Sequence, residues 1–402
     1  MYFLNGDKTQ NHLGLNCDKS QLFGFTIIEL LVVIVVIGIL AAITMVSYTG
    51  ITTKANTAAL MSDLSNNTTQ LKIYQATNGS FPTALDTNNC PSAPVADTTH
   101  CLKLSYNDKL SYTPSNTTNP QDFRLTVSNS NSTSNYSANA NGLSCPLNFI
   151  IVPGSSTYGT SDFCVMKYEA RQVGASTTPI SQAAGLPWVN ISQNTAIANS
   201  SNVAGCTGCH LITEAEWMTI AQNVLSVPSN WSTGTVGSGY IYQGHSDNAP
   251  ANALDASIND SDGYYGTGNA TGNQRRTLTL TNGEVIWDLA GNVWEWTTGT
   301  STSGQPGIAG EAAYAWKDYT AVTAVGTIAP DVMPAGTGLA GASTWTLANG
   351  IGRLYSYVGE TVLRGFIRGG IWSDGNSVGV LDLYLNYSPG VANTRIGLRV
   401  TR

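Results

Sequence analysis

The sequence predicts an α+β chain, in which a long N-terminal helix carries a small head and a loop-rich second domain follows. Three observations predict it. An apolar run, Phe25 to Val46, gives way between Tyr48 and Ala76 to an amphipathic one, so one helix is lipid-like first and fit to pack on a head afterwards. The stretch Ser80 to Leu143 holds short strand-like pieces among Asn- and Ser-rich loops. All 9 tryptophans then fall after Ser144, among long irregular glycine-rich stretches, as in an α+β domain with many loops and unlike a repetitive barrel.

The apolar run, FTIIELLVVIVVIGILAAITMV, is about the length a helix needs to cross the roughly 30 Å hydrocarbon core of a bilayer. Its one charge, Glu29, is expensive there, and intramembrane carboxylates usually have a partner. Cleavage after Gly24 supplies one, the new α-amine of Phe25. Residues 1–24 are polar, carry Lys8 and Lys19 and lack an apolar core, so they differ from a secretory signal peptide, whose apolar region precedes the cut. A plain signal anchor has no need of Gly24 and Glu29 together.

Around Gly24, Phe25 and Glu29 the chain resembles a type IV pilin or pseudopilin precursor. The resemblance implies cleavage after Gly24 by a prepilin peptidase, N-methylation of Phe25, and neutralisation by Glu29 of a neighbouring subunit's N-terminus. The implied partners are other pilin subunits, and the implied route runs from the cytoplasmic membrane to an extracellular surface filament. The family's late-helix proline is replaced here by Val46, which leaves Gly38 as the weak point. The expected domains are a leader at 1–24, a helix at 25–78 with its transmembrane or filament-core part at 25–46, a small head and linker at 79–143, and a second domain at 144–402.

Only 11% of the 402 residues are charged and the net charge is −7. A mildly acidic chain without clustered Lys and Arg lacks the means to hold phosphate backbones, so nucleic acid is not an expected partner. Abundant Asn, Ser, Thr and Gly suit an extracellular surface. Of 7 cysteines, Cys17 leaves with the leader. The even remainder in an exported chain reads as disulfides, with the sequence-local pairs Cys90 with Cys101, Cys145 with Cys164, and Cys206 with Cys209 expected among about 15 connectivities. Cys206-Thr-Gly-Cys-His210 also matches a c-type haem attachment motif. A single copy does not make an electron-carrying filament, and a short-range disulfide is the better reading. Thr213 and Glu216 just beyond it have capping-box spacing ahead of Trp217.

Along the second half of the helix, Ile51, Ala55, Leu60, Leu64, Leu71 and Tyr74 form one apolar stripe, and Asn78-Gly79 ends it. Phe123 to Val127 reads as a strand, and the Ser-, Asn- and Thr-rich tract Ser128 to Asn141 reads as a linker.

Three later stretches are Leu211-Ile-Thr-Glu-Ala-Glu-Trp217, Trp287-Asp-Leu-Ala-Gly-Asn-Val-Trp-Glu-Trp296, and Arg368-Gly-Gly-Ile-Trp372 with Ile396-Gly-Leu-Arg399. Together they resemble the formylglycine-generating-enzyme and sulfatase-modifying-factor family, a branch of the C-type lectin fold, across most of 144–402. The family's enzymes use a cysteine pair near the C-terminal end to bind copper and oxidise a substrate cysteine. No cysteine follows Cys209 here, so the resemblance implies the fold without the oxidase or its copper. Some members bind calcium around the middle stretch, which implies Gly291, Val293 and Glu295 as ligands. Oxygen donors suit Ca²⁺, and pairing of Glu295 with an arginine is the competing role.

Near the C-terminus, Leu381, Leu383 and Leu385 alternate with Asp382, Tyr384 and Asn386, the period of a half-buried strand, so the latter three are expected to face out. Ile396, Leu398 and Val400 alternate likewise with Arg395, Gly397 and Arg399. With Trp372, Ser373, Asp374, Asn376 and Ser377 before the first strand, and Tyr387, Val391, Asn393 and Arg395 after it, tyrosines and small polar groups make up a binding surface of the kind antibody loops use. The frame Arg368-Gly-Gly-x-Trp372 to Ile396-Gly-x-Arg399 resembles the variable region of retroelement-diversified proteins. That likeness implies variable positions at Ser373, Asp374, Ser377, Asp382, Tyr384, Asn386, Tyr387, Val391, Asn393 and Arg395.

The sequence thus points to a pilin-like subunit displaying a ligand-binding head for a surface protein or glycan, with no catalytic constellation. A formylglycine-generating type of extracellular enzyme and a purely structural pilin are the alternatives. So bulky a head favours a minor or tip position.

Overall fold

The computed structural model describes residues 27–117, 121–129, 135–301, 313–319, 345–357 and 359–402, with side chains in the first helix described at 30–38, 55–56 and from 58 on. Gly24, Phe25 and the side chain of Glu29 lie outside the described residues. The chain divides into two units, Met1–Ala55 and Asn56–Arg402.

Helix α1 spans Ile27–Asn78. Leu30 to Ile37 are exposed. Among the described residues no helix is long and apolar enough to cross a membrane. Farther along, the expected stripe is buried at Leu60, Leu64, Leu71 and Tyr74, whereas Ala55 is exposed. Gly79 closes the helix: its N–H donates to Gln75 O at 2.7 Å, and its φ of 79° is one that glycine reaches without a Cβ penalty.

The stripe packs on the head. There β1 (Ala84–Leu85) pairs with β2 (Pro91–Ala93), and β3 (Asp108–Ser115), β4 (Asp122–Asn129) and β5 (Asn135–Asn139) form an antiparallel sheet. Burial alternates strictly along β4, so Phe123, Leu125 and Val127 share a core with Leu60, Leu64 and Leu71. The tract expected to be a linker instead includes the end of β4 and all of β5. Composition concealed an alternation: Tyr136 and Ala138 join the core opposite Val127 and Leu125, while Ser137 and Asn139 are buried with hydrogen bonds of their own.

Nor is there a break near residue 144. Ala138 bridges to Ser144, Asn139 Nδ2 donates to Asp162 Oδ2 at 2.7 Å, and Arg124 Nη1 meets Glu284 Oε2 at 3.0 Å. Head and C-terminal region belong to one unit.

Beyond residue 144 the strands are short. In order they are β6 (Phe149–Val152), β7 (Phe163–Met166), β8 (Ala170–Gln172), β9 (Pro179–Ser181), β10 (His210–Leu211), β11 (Thr277–Thr279), β12 (Val285–Trp287), β13 (Trp294–Ser301), β14 (Ala315–Lys317), β15 (Leu354–Ser356), β16 (Arg364–Gly369), β17 (Gly379–Tyr384), β18 (Ile396–Leu398) and β19 (Val400–Thr401), with helices α2 (Gln193–Ser200) and α3 (Glu214–Leu225) before and after β10. Two sheets dominate, ordered β10-β19-β7-β6 and β14-β15-β17-β16-β13-β18. The expected capping box starts α3: Thr213 Oγ1 accepts from Glu216 N, and Glu216 Oε2 accepts from Thr213 N. Disulfides join Cys90 to Cys101, Cys145 to Cys164, and Cys206 to Cys209, the sequence-local pairing.

Strand β17 departs from expectation. It lies inside the larger sheet between β15 and β16, with α3 against it, and is buried through Leu383. Asp382 therefore does not face out; it is 0% exposed. A period of two separates the faces of a strand without saying whether the second face is covered, and here it is. Gly352 sits so close that a Cβ there would lie 2.5 Å from Asp382 N.

Candidate ligand-binding site

The two flanks of the C-terminal frame are structural. Arg368 Nη2 meets Glu214 Oε2 at 2.6 Å and its Nη1 donates to Leu381 O at 3.0 Å, locking β16 to α3 and β17. Arg399 pairs with Glu295, and both are buried. Buried charges of this kind fix a backbone because each must keep its partner. Between these anchors the chain leaves the core twice, at 372–377 and at 386–395.

Those excursions meet β13, β14 and β15 around a pocket of about 260 Å³. The end of β17 supplies Tyr384. Its ring stacks on Tyr355 of β15, with centroids 4.6 Å apart and planes 8° from parallel, and tilts against Trp294 of β13 at 5.3 Å and Trp316 of β14 at 5.7 Å. Tyr387 continues the cluster 5.8 Å from Tyr384, and its hydroxyl accepts from Asn393 Nδ2 at 3.1 Å. Asn393 is held in turn: its O accepts from Asn190 N at 2.9 Å and its Oδ1 from Arg395 N at 2.8 Å. Arg353 lies over the Trp316 ring at 5.4 Å and donates to Ser377 Oγ at 2.6 Å.

The pocket's carboxylate is Asp374. Burial raises its pKa to about 6, and the nearby Arg395 charge and the Trp294 side chain only partly offset this. Beneath it, Asp382 is shifted up further by complete burial and by the Asp374 charge. Neither carboxylate oxygen of Asp382 has a hydrogen-bond partner among the described residues.

Of the residues expected to bind ligand, Asp374, Tyr384, Tyr387, Asn393 and Arg395 line this one pocket. Ser377 is engaged by Arg353, and Asn386 lies beside Tyr384 with its amide 3.5 Å from the hydroxyl. Trp372 is half-buried against the core, while Ser373, Asn376 and Val391 are exposed outside the pocket. Trp294, Trp316 and Tyr355 were not foreseen. Residue type marks an aromatic as core or surface equally, and only the order of the larger sheet, β14-β15-β17-β16-β13-β18, brings these three to the rim.

The stretch proposed for calcium serves the frame. Gly291 N donates to Gly369 O at 3.0 Å, Val293 N to Glu169 Oε1 at 3.1 Å, and both oxygens of Glu295 accept from Arg399. Among the described residues no group of three or more His, Cys, Asp or Glu side chains is placed to hold a metal ion. Cys206 and Cys209 are bonded to each other, and His210 Nε2 faces Glu216 Oε1 at 3.0 Å.

The sulfatase-modifying factor enzyme 1-like domain is matched over residues 61–402, so the match starts on α1, ahead of the domain start expected near Ser144. No curated protein matches the chain. Among solved structures, Treponema denticola variable protein 1 is similar at 15% identity and a TM-score of 0.30, with 66% of this chain and 95% of that chain covered.

Proposed function

This chain belongs to the sulfatase-modifying factor enzyme 1-like family, and on that premise we propose that its C-terminal region binds a ligand without turning it over. The carrying observation is the convergence of Asp374, Tyr384, Tyr387, Asn393 and Arg395 on one pocket walled by Trp294 and Trp316. Trp, Tyr and Arg side chains are the usual anchors of recognition surfaces, the aromatic ones giving large contact area at small entropic cost. A carboxylate kept partly desolvated in such a wall costs stability, which is typical of groups retained for function. The oxidase chemistry of the family rests on a cysteine pair near the C-terminal end, and the sequence has no cysteine beyond Cys209.

The ligand we propose is a surface protein or glycan, and the setting is extracellular. Gly24, Phe25 and Glu29 support a type IV pilin-like stalk, processed by a prepilin peptidase at the cytoplasmic membrane and assembled with other pilin subunits. The division between buried frame residues such as Arg368 and Arg399 and the polar residues between them supports a diversified binding surface.

The test is capture of ligands from glycan and surface-protein arrays by the full chain. Hits are expected to be lost in Tyr384→Ala and Trp316→Ala and kept in Tyr106→Ala, at a head position 90% exposed. Equal binding by all three variants refutes the site. For the stalk, Glu29→Ala is expected to abolish filaments, and normal filaments refute it. For diversification, the 3′ coding region sequenced across a population is expected to vary at the positions named; uniform substitution along the region refutes it.

A further inference from the structure

We infer that the Cys206–Cys209 disulfide is a thiol-exchange site, attacked at the Cys206 sulfur by an external low-molecular-weight thiolate. Three observations carry this. First, the three disulfides span unequal loops, with sequence separations of 11, 19 and 3. A crosslink stabilises a fold by restricting its unfolded chain, and does so less as the loop shortens, so the fold depends least on Cys206–Cys209.

Second, the two sulfurs differ in access. Cys209 is 5% exposed and sits in a core cluster, while Cys206 is half-buried at its edge. Cys145 and Cys164 are both buried, at 2% and 0% exposed, while Cys90 and the half-buried Cys101 share the asymmetry across a longer loop. Exchange needs in-line approach to one sulfur while the other departs, and the geometry offers Cys206 for approach and Cys209 for departure.

Third, the loop carries cations suited to drawing in an anionic thiolate. His210 follows Cys209 directly, with Nδ1 2.9 Å from Gly208 O and Nε2 3.0 Å from Glu216 Oε1, contacts that favour the protonated ring. Arg402 Nε donates to Thr207 O at 3.2 Å. Positive charge on the loop raises the local concentration of an anionic thiolate.

In the step, the incoming thiolate sulfur bonds to Cys206 Sγ as the Cys206–Cys209 bond breaks. The bonding pair leaves on Cys209 Sγ, which then takes a proton. A second thiol attacks the mixed disulfide at the sulfur of the first, freeing the Cys206 thiol. The sum is two thiols oxidised to one disulfide and one protein disulfide reduced to two thiols.

The experiment incubates the full chain with reduced glutathione, quenches with N-ethylmaleimide at intervals and maps the label by mass spectrometry. Cys206 and Cys209 are expected to be labelled about ten times faster than the other four cysteines, with a transient glutathione adduct on Cys206. His210→Asn is expected to slow labelling and to flatten its dependence on pH near neutrality, which a merely structural role for the ring would not do. Labelling no faster than at Cys90–Cys101 or Cys145–Cys164, or an adduct on Cys209, overturns the inference. Cys209→Ser gives an independent reading: oxidised glutathione is expected to cap its Cys206, and failure to do so in folded protein also overturns it.

Discussion

Arg399 grips Glu295 with two nitrogens: Nε and Nη2 reach the carboxylate oxygens at 2.7 to 3.2 Å, and both side chains are buried. The remaining guanidinium nitrogen, Nη1, donates to Met166 O at 2.9 Å, and Nη2 also reaches Trp287 O at 2.9 Å. The pair therefore joins β18–β19 to β7, β12 and β13. Removing one member strands the other charge, which costs about 3–5 kcal/mol. Glu295→Ala is expected to lose that much in urea unfolding, and Tm is expected to be the same in EDTA as in millimolar calcium. A calcium-dependent rise in Tm that Glu295→Gln abolishes would overturn this role.

Asp382 is held at a cost. Its burial raises its pKa well above the usual carboxylate range, so the folded state favours the protonated acid. The sign follows: the unfolded chain ionises near pH 4 and the folded one much later, so stability falls as pH rises above about 4. Asp382→Asn removes the titration and is expected to gain stability at pH 7, with little gain at pH 4. Loss of stability at pH 7 in that variant would mean that the carboxylate has a partner.

Asp374 titrates inside the pocket, with its pKa raised to about 6 by burial. Its contribution to stability also falls as pH rises, between about 4 and 6, and is flat above. Asp374→Asn is expected to gain up to about 2 kcal/mol at pH 7, allowing for its partial exposure, while weakening capture of array ligands. In the wild type, capture is expected to change with a midpoint near pH 6, and in Asp374→Asn to be flat there. A pH-independent wild type would remove Asp374 from the contact.

What could be read from the sequence was what local periodicity encodes. The α1 stripe at Leu60, Leu64, Leu71 and Tyr74, the alternation of β4 and the capping box of Thr213 and Glu216 follow from spacings of a few residues, and the structure has them. The site was half legible. Asp374, Tyr384 and Asn393 lie in one polar, tyrosine-bearing stretch, whereas Trp294, Trp316 and Tyr355 reach the same pocket through non-local strand pairing. Two misreadings meet in the same place: at Asp382 periodicity, and at Tyr136 composition, suggested solvent where sheet position imposed burial.

The last prediction concerns Arg124 and Glu284, which join the head sheet to the C-terminal region at 3.0 Å with side chains 16% and 7% exposed. Burial raises the pKa of Glu284, and the Arg124 charge opposes that rise. Arg124→Ala leaves the carboxylate buried without its cation, a change that typically costs about 3–5 kcal/mol. Were the head an independent module on a linker, the loss would fall on a head transition alone. Because Tyr136 and Ala138 tie β5 into the head core and Ala138 bridges to Ser144, residues 56–402 are expected to unfold in one transition, displaced as a whole in Arg124→Ala. Circular dichroism and tryptophan fluorescence report on this together: every tryptophan lies beyond residue 144, so a head-only loss would leave the fluorescence midpoint where it was. Adding Glu284→Gln to Arg124→Ala is expected to recover part of the stability, since the stranded charge is then gone.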